Sequence, residues 1–191
     1  MDPEHETIRR IVGGDSRQYG VLVDRYKDRA FALASRLLGS REEAEEAVQD
    51  AFVKAFHRLA DFRGDSRFGT WYYRILYNIC MTRVSRRPAG SLSLDDMTST
   101  EGELAVESNE PDSLEVISSN ERREILGEEL QKLPQKFQAV LTLFYIQEQR
   151  YEEIAAILEI PLNTVKSHLF RARGLLRKRI QDRYNEGMRA A

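Results

Sequence analysis

One segment of this chain combines aromatic and cationic side chains. These residues are Trp71, Tyr72, Tyr73, Arg74, Arg83, Arg86 and Arg87. Aromatic rings stack on unpaired bases for about 1 to 3 kcal/mol each, and cations follow the phosphates, so the segment suits single-stranded nucleic acid. A second interpretation stays open, because Trp71, Ile75 and Ile79 share one helical stripe, and such a stripe is more often core than a platform for bases.

A second cationic segment lies near the C-terminus. From residue 166 onward the basic residues outnumber Asp182 and Glu186, and they include Lys166, Arg171, Arg173, Arg177, Lys178, Arg179 and Arg183. Basic residues at the end of a helix can simply complement the helix dipole. Here they accompany a complete two-helix pattern, described below, and we therefore interpret the segment as a surface for duplex DNA.

The patterns that indicate catalysis are absent from the sequence. There is no glycine-rich phosphate loop, no dinucleotide fingerprint and no Cys/His cluster, and His5, His57 and His168 are scattered. Neighbouring acids such as Glu45 and Glu46 diverge around a helix and form no acid-base pair. We predict that the protein is not an enzyme and has no catalytic residue, metal, cofactor or small-molecule substrate.

Composition and cysteine content indicate the compartment. The 191 residues carry a net charge of only -2, so any nucleic-acid signal must lie in the local distribution of charge. A single cysteine, Cys80, cannot form an intramolecular disulfide, and we expect it in the core. The N-terminus is polar, and no apolar run approaches the roughly 20 residues that span a bilayer. We expect a cytoplasmic protein that does not insert into a membrane.

The first half of the chain must position the aromatic segment. Apolar spacing predicts one helix over residues 16–38 that ends at Gly39, followed by a helix that Ser40 caps. Two glycines and local Asp and Ser side chains make residues 61–69 a loop, which carries two phenylalanines that we expect to be exposed. A further helix is predicted from about Thr70.

A polar stretch divides the chain. Residues 91–118 contain no Lys, Arg or aromatic residue but eight acids, Asp95, Asp96, Glu101, Glu103, Glu107, Glu110, Asp112 and Glu115. Such a segment cannot bury a core. We predict an all-α protein of two small helical domains, 1–88 and 119–191, joined by a flexible acidic linker, 89–118. The linker is either a solvated spacer or a functional acidic segment, and both readings stay open.

The second half predicts a helix-turn-helix. A helix over about 119–133 ends at Pro134, a short helix covers 151–158, and a longer helix covers about 161–184. The small residue Ala155 lets the last two helices cross closely. The outer face of the last helix then presents polar and basic side chains that suit base edges in a major groove.

The helix-turn-helix segment, residues 151–155 through 163–173, closely resembles region 4 of extracytoplasmic-function (ECF) sigma factors. A similar Thr-Val-Lys-Ser-His string occurs in response regulators, but residues 44–52, 62–66 and 70–71 resemble region 2 of the same sigma family, a block that response regulators lack. The chain is thus identified as a member of the ECF group, in its sigma-E-like branch. Asn163 and Tyr72 depart from the glycine and leucine that are common in the family, which leaves the promoter sequence open.

The resemblance implies three binding surfaces. Core RNA polymerase would be bound by Glu46, Gln49 and Asp50. Minus-10 promoter DNA, including a flipped base, would be bound by Phe62, Arg63, Ser66, Phe68, Trp71 and Asn78. The minus-35 duplex would be contacted by Asn163, Thr164, Lys166, Ser167, Phe170, Arg171 and Arg173, with Arg173 on phosphate.

The resemblance also implies a cognate anti-sigma factor, often membrane-bound, that covers the polymerase-binding surfaces. It further implies that the linker passes through the polymerase, where its acids would mimic nucleic acid. A different class of function is a stand-alone helix-turn-helix regulator that binds operator DNA as a dimer. A pure protein-interaction module is a third class.

Overall fold

The protein was analysed as a computed structural model that describes residues 3–87 and 119–190. In these two ranges the secondary structure is helical and contains no strand. The helices are α1 (Pro3–Val12), α2 (Tyr19–Leu38), α3 (Arg41–His57), α4 (Phe68–Ser85), α5 (Ser119–Gln131), α6 (Gln135–Tyr145), α7 (Tyr151–Leu158) and α8 (Leu162–Ala190). The all-α class is confirmed. The predicted acidic linker, 89–118, lies outside the described residues.

The first group of helices, α1 to α4, packs around one apolar core. Helices α2, α3 and α4 contact one another in all three pairings. The stripe of α3 that faces the core carries mostly alanine, and Ala44, Ala47 and Ala51 are fully buried there. Because small side chains allow close approach, α2 and α4 can approach α3 closely, and the polar side chains of α3 are left facing solvent.

The junction of α2 and α3 follows the sequence signals. Gly39 ends α2 with a φ of 69°, in the left-handed region that glycine adopts without strain. The side chain of Ser40 then accepts a hydrogen bond from the backbone N–H of Glu43, at 3.3 Å, and caps α3. The predicted stop and the predicted cap are both confirmed.

The second group of helices, α5 to α8, forms a smaller core that carries the helix-turn-helix. Helix α7 contacts α8 and α6, and Ile154, Ile157, Val165 and Leu169 are fully buried or nearly so between them. Glu159 ends α7 in the left-handed conformation, with φ 56°, and forms the turn. The predicted helix-turn-helix is confirmed.

The two groups of helices pack directly against each other. Helix α2 contacts α6, and α4 contacts α7. The side-chain amide of Gln147, which is 1% exposed, donates to the carbonyl of Arg29 at 2.6 Å, and that of Gln135 donates to the carbonyl of Leu37 at 3.1 Å. An ion pair between Arg67 and Glu153, at 3.6 Å, adds a charged contact.

Three details of the predicted helices were wrong. The polar N-terminus folds into α1, which the sequence analysis did not predict. The first predicted helix, 16–38, is a short 3-10 turn at Ser16–Gln18 followed by α2. Helix α4 begins at Phe68 instead of about Thr70, because Phe68 and Gly69 pack into the core as its first turn.

Candidate polymerase and nucleic-acid interfaces

The acidic face of α3 carries the three residues expected to bind the polymerase. Glu46, Gln49 and Asp50 are all exposed and lie within about one helical turn. One guanidinium on α4 spans the two acids, since Arg83 donates to Glu46 at 2.9 Å and to Asp50 at 2.6 Å. These ion pairs raise the pKa of Arg83 against the lowering effect of burial. The guanidinium of Arg83 therefore holds the two carboxylates in fixed orientations.

An open groove of about 980 Å³ runs beside this acidic face, between α2 and α3. Its lining includes the apolar side chains of Tyr19, Val23, Phe31, Val48 and Phe52, and Gln49 of the acidic face also lines it. Val53 and Phe56, which line the same groove, are 52% and 39% exposed. The sequence analysis missed this groove, because the residues that form it come from two separate helices.

The loop before α4 and the start of that helix form an aromatic cluster. Phe62 and Trp71 are half-buried with their ring centroids 5.3 Å apart, whereas Arg63 and Ser66 are exposed in the loop. Phe68 is only 1% exposed and packs under both rings, at 6.1 Å from Phe62 and 5.7 Å from Trp71. The expectation of two exposed phenylalanines is therefore wrong for Phe68. Phe68 packs against the other two rings inside the core and has no exposed face that could stack on a base.

The interpretation of the Trp71 stripe as core is confirmed for Ile75, whereas the interpretation as a platform for bases stays a prediction. Ile75 on the same stripe is buried, but Trp71 stays half-buried and lines a pocket of about 290 Å³ at the surface. Tyr72, where the family often has leucine, is fully buried and stacks on Phe52 with centroids 4.5 Å apart. The ring of Tyr72 is therefore part of the hydrophobic core.

The pocket beside Trp71 is cationic. Lys54 on α3 and Arg58, the residue that follows this helix, line it together with Arg74 and Asn78 of α4. Of these four, Asn78 was expected to bind minus-10 DNA and Arg74 belonged to the predicted aromatic and cationic segment, whereas Lys54 and Arg58 were not expected at this surface. The spacing held a signal that was missed, because both pairs are four residues apart and therefore lie on one face of their helices. Glu159, from the turn of the helix-turn-helix, also lines this pocket.

The outer face of α8 carries the residues expected to read duplex DNA. Asn163, Lys166, Phe170 and Arg171 are exposed, and the ring of Phe170 is 52% exposed. Thr164 and Ser167 are half-buried, and the hydroxyl of Ser167 donates to the carbonyl of Thr164 at 3.0 Å. The exposed side chains of the set project away from the core, as recognition of a groove requires.

Arg173 differs from the other cations of α8 in its surroundings. Its guanidinium lies over two aromatic rings, 5.4 Å from the centroid of Phe144 and 5.5 Å from that of Tyr145. Cation-π contacts of this kind hold a side chain in place while leaving its charge available. A fixed cation at the edge of the helix suits a phosphate better than a base edge.

The basic end of α8 is partly neutralised within the protein. Arg183 pairs with Glu128 and, at 3.1 Å, with Glu129, and Arg179 lies 3.8 Å from Glu129. Contacts with Lys132 and Arg183 lower the pKa of the Glu129 carboxyl. These two arginines therefore tie α8 to α5, and the cations available for DNA lie nearer the start of α8.

Cys80 is fully buried on α4, as expected. Burial raises the pKa of its thiol to about 12, so roughly one thiol in ten thousand is ionised at pH 8. We expect a thiol reagent to label the folded protein at least about 100-fold more slowly than the urea-unfolded protein. Labelling of the folded protein at the unfolded rate would contradict this burial, and C80A, which should not label at all, is the control.

Neither a metal site nor a membrane-spanning helix is found in the described part of the chain. Residues 3–87 and 119–190 hold no group of three His, Cys, Asp or Glu side chains arranged to bind a metal. Among the helices described, none is long and apolar enough to cross a membrane.

The described residues combine an all-helical fold and a helix-turn-helix with an aromatic cationic pocket and an acidic face on α3, and this combination is typical of a DNA-binding transcription protein. Two family models match the chain, Sigma-70 region 2 over residues 22–88 and Sigma-70 region 4 over residues 123–176. The chain is 35% identical to the ECF RNA polymerase sigma-E factor of Escherichia coli K12, over 91% of this chain and 92% of that one. It is 33% identical to the ECF RNA polymerase sigma factor SigW of Bacillus subtilis, over 92% and 95% of the two chains.

A solved structure shares this fold over most of the chain. The structure of CnrH in complex with the cytosolic domain of CnrY matches with a TM-score of 0.68 and 25% identity, covering 95% of this chain and 99% of that one. The protein belongs to the sigma-70 family and, within it, to the ECF group of sigma factors. These matches support a sigma factor and give no support to the stand-alone regulator.

Proposed function

We propose that this sigma factor uses three separate surfaces in initiation: α3 for polymerase docking, the pocket at Trp71 for melted minus-10 DNA, and α8 for the minus-35 duplex. The observation that carries the proposal is the presence of two exposed cationic surfaces of different chemistry on one chain. The pocket at Trp71 combines aromatic rings with cations, which suits single strands, whereas α8 projects polar and basic side chains from one helix face, which suits a duplex groove.

The melted strand would meet the aromatic cluster first. Phe62 and Trp71 can offer partly exposed rings to unpaired bases, while Arg63 and Ser66 offer hydrogen bonds from the loop. Extruding a base costs a few kcal/mol, which stacking and hydrogen bonds in a pocket offset. Lys54, Arg58 and Arg74 are close enough to the Trp71 pocket to neutralise the phosphates of the same strand.

The minus-35 element would be read by the first turns of α8. Lys166 and Arg171 are exposed cations able to donate to guanine edges or phosphates, and Phe170 can contact thymine methyl groups. Arg173, held over Phe144 and Tyr145, would anchor the backbone.

Polymerase docking would use the acidic face that Arg83 organises. Two carboxylates held in fixed orientation lose little side-chain entropy when a basic partner binds them. The apolar groove beside them fits the same partner surface or an amphipathic helix of an inhibitory protein. A cognate anti-sigma factor that covers this groove would therefore block the polymerase. A cytoplasmic location of this protein is part of the proposal.

The test is run-off transcription with purified core RNA polymerase and a pool of promoter fragments, with and without this protein. We expect transcripts that appear only when the protein is present, with start sites that define its minus-10 and minus-35 elements. If core binding and transcripts are both absent while the protein alone shifts duplex DNA, a stand-alone regulator replaces this proposal.

A further inference from the structure

The N-terminal helix α1 lies against the loop that carries the proposed base-binding residues. It contacts α2 and the short turn at Leu59–Asp61, just before the loop. Ile8 and Ile11, 6% and 7% exposed, fix α1 to the core. The two residues at its start, Glu4 and His5, act on opposite ends of the loop.

At the first end of the loop, the ring of His5 packs on Gly64. A Cβ placed on Gly64 would lie 2.7 Å from His5 Cε1, closer than real Cβ contacts, and the φ of Gly64 is 77°. The same imidazole lies beside Phe62, with ring centroids 6.0 Å apart. A glycine at position 64 thus allows both the left-handed turn and the close approach of the ring.

At the second end of the loop, Glu4 acts through Tyr26. The buried carboxylate of Glu4 accepts a hydrogen bond from the Tyr26 hydroxyl at 2.6 Å and from Arg25 at 2.9 Å. The Tyr26 ring then packs on Gly69, where an added Cβ would lie 3.0 Å from Tyr26 Cε1. Burial and the carboxylate raise the pKa of Tyr26, so its hydroxyl remains the donor.

We propose that Glu4 and His5 are positioning residues that hold residues 62–69 in the conformation that receives the unpaired minus-10 bases. The inference rests on the proposed function of this loop. An aromatic ring packs on a glycine at each end of residues 62–69. One ring is that of His5 itself, and the other is that of Tyr26, which Glu4 holds by a hydrogen bond. Phe62 and the exposed side chains of Arg63 and Ser66 are thereby presented from a fixed backbone.

The physical benefit is preorganisation. A free loop must lose conformational entropy when it closes on a base, because its side chains become immobilised. A loop braced at both ends has already lost much of this freedom on folding. Removing one brace should therefore weaken capture of the melted strand without changing the docking surface on α3.

The experiment compares H5A with the wild type as full-length protein bound to core polymerase. Promoter opening is followed by the fluorescence of 2-aminopurine in the minus-10 element, core binding by titration, and folding by thermal denaturation. We expect opening to fall about tenfold in H5A while core affinity is unchanged. The matched control is R10A, an exposed residue of the same helix, which should open the promoter like the wild type.

Rescue separates positioning from a general loss of stability. H5F restores a ring against Phe62 and Gly64, and we expect it to recover most of the opening. Wild-type opening by H5A, or an equal loss of core binding and opening, would overturn the proposal. If the wild type itself opens no promoter while it binds core polymerase, the proposed function of the loop fails, which is a distinct result.

Discussion

Replacing Phe68 by alanine is expected to lower the free energy of unfolding by about 3 to 5 kcal/mol. The ring is 1% exposed and lies within 6.1 Å, centroid to centroid, of four other aromatic rings. Its removal leaves a cavity that these large rings cannot close. Urea denaturation followed by circular dichroism measures the loss.

Phe170 provides the matched control for this substitution. Its ring is 52% exposed on α8, so F170A should change the free energy of unfolding by less than about 0.5 kcal/mol. We expect the reverse order for minus-35 binding, where F170A loses affinity through its contact with DNA. A destabilisation below about 1 kcal/mol for F68A would show that Phe68 is not the centre of this cluster.

The largest functional effect is expected from removing two cations of the proposed minus-35 surface together. K166A/R171A should reduce promoter affinity of the polymerase complex by about 100-fold, since each contact contributes about 1 to 3 kcal/mol. The slope of log affinity against log salt should also fall by roughly two, because two fewer phosphates or bases are engaged by cations. Filter binding over a range of salt concentrations measures both quantities.

The control is R177A on the same helix. Arg177 is exposed but lies six residues beyond Arg171, about 9 Å farther along the helix axis. We expect a loss of less than about threefold. Core polymerase binding should be unchanged in both variants, and equal losses for the control and the double variant would assign the effect to overall charge.

The sequence predicted the helix-turn-helix well because its signals are local. The apolar positions Ile154, Val165 and Leu169 define the buried sides of α7 and α8, and the outer face of α8 lies opposite its buried side. The same holds for Gly39 and Ser40, where one residue type ends a helix and the next caps another. Such features depend on neighbours within a few positions, so a linear pattern contains them.

Features that depend on contacts between distant segments were missed. Phe68 follows a glycine-rich loop and therefore looked exposed, but the core formed by Tyr26 and Tyr72 provides a site for it. Helix α1 was missed because Ile8 and Ile11 are its only clear apolar pair, too few to establish a helical period. Both outcomes are decided by tertiary packing.

The cationic pocket illustrates the same limit for the site. Lys54 and Arg58 on α3 were explained by the helix dipole, which is a sufficient reason for basic residues at a helix end. Only the packing of α3 against α4 brings them opposite Arg74 and Asn78. The residue types were visible in the sequence, but their common surface was not.

The side-chain amide hydrogen bonds between the two groups of helices should respond to ionic strength differently from DNA binding. The bonds from Gln135 and Gln147 to backbone carbonyls join neutral groups, so dissolved ions screen them little. DNA binding by the cationic surfaces releases condensed counterions and weakens steeply as salt rises. Added salt should therefore weaken DNA binding at concentrations that leave these amide bonds in place. The packing of the two groups of helices against each other is thus expected to tolerate salt better than promoter binding does.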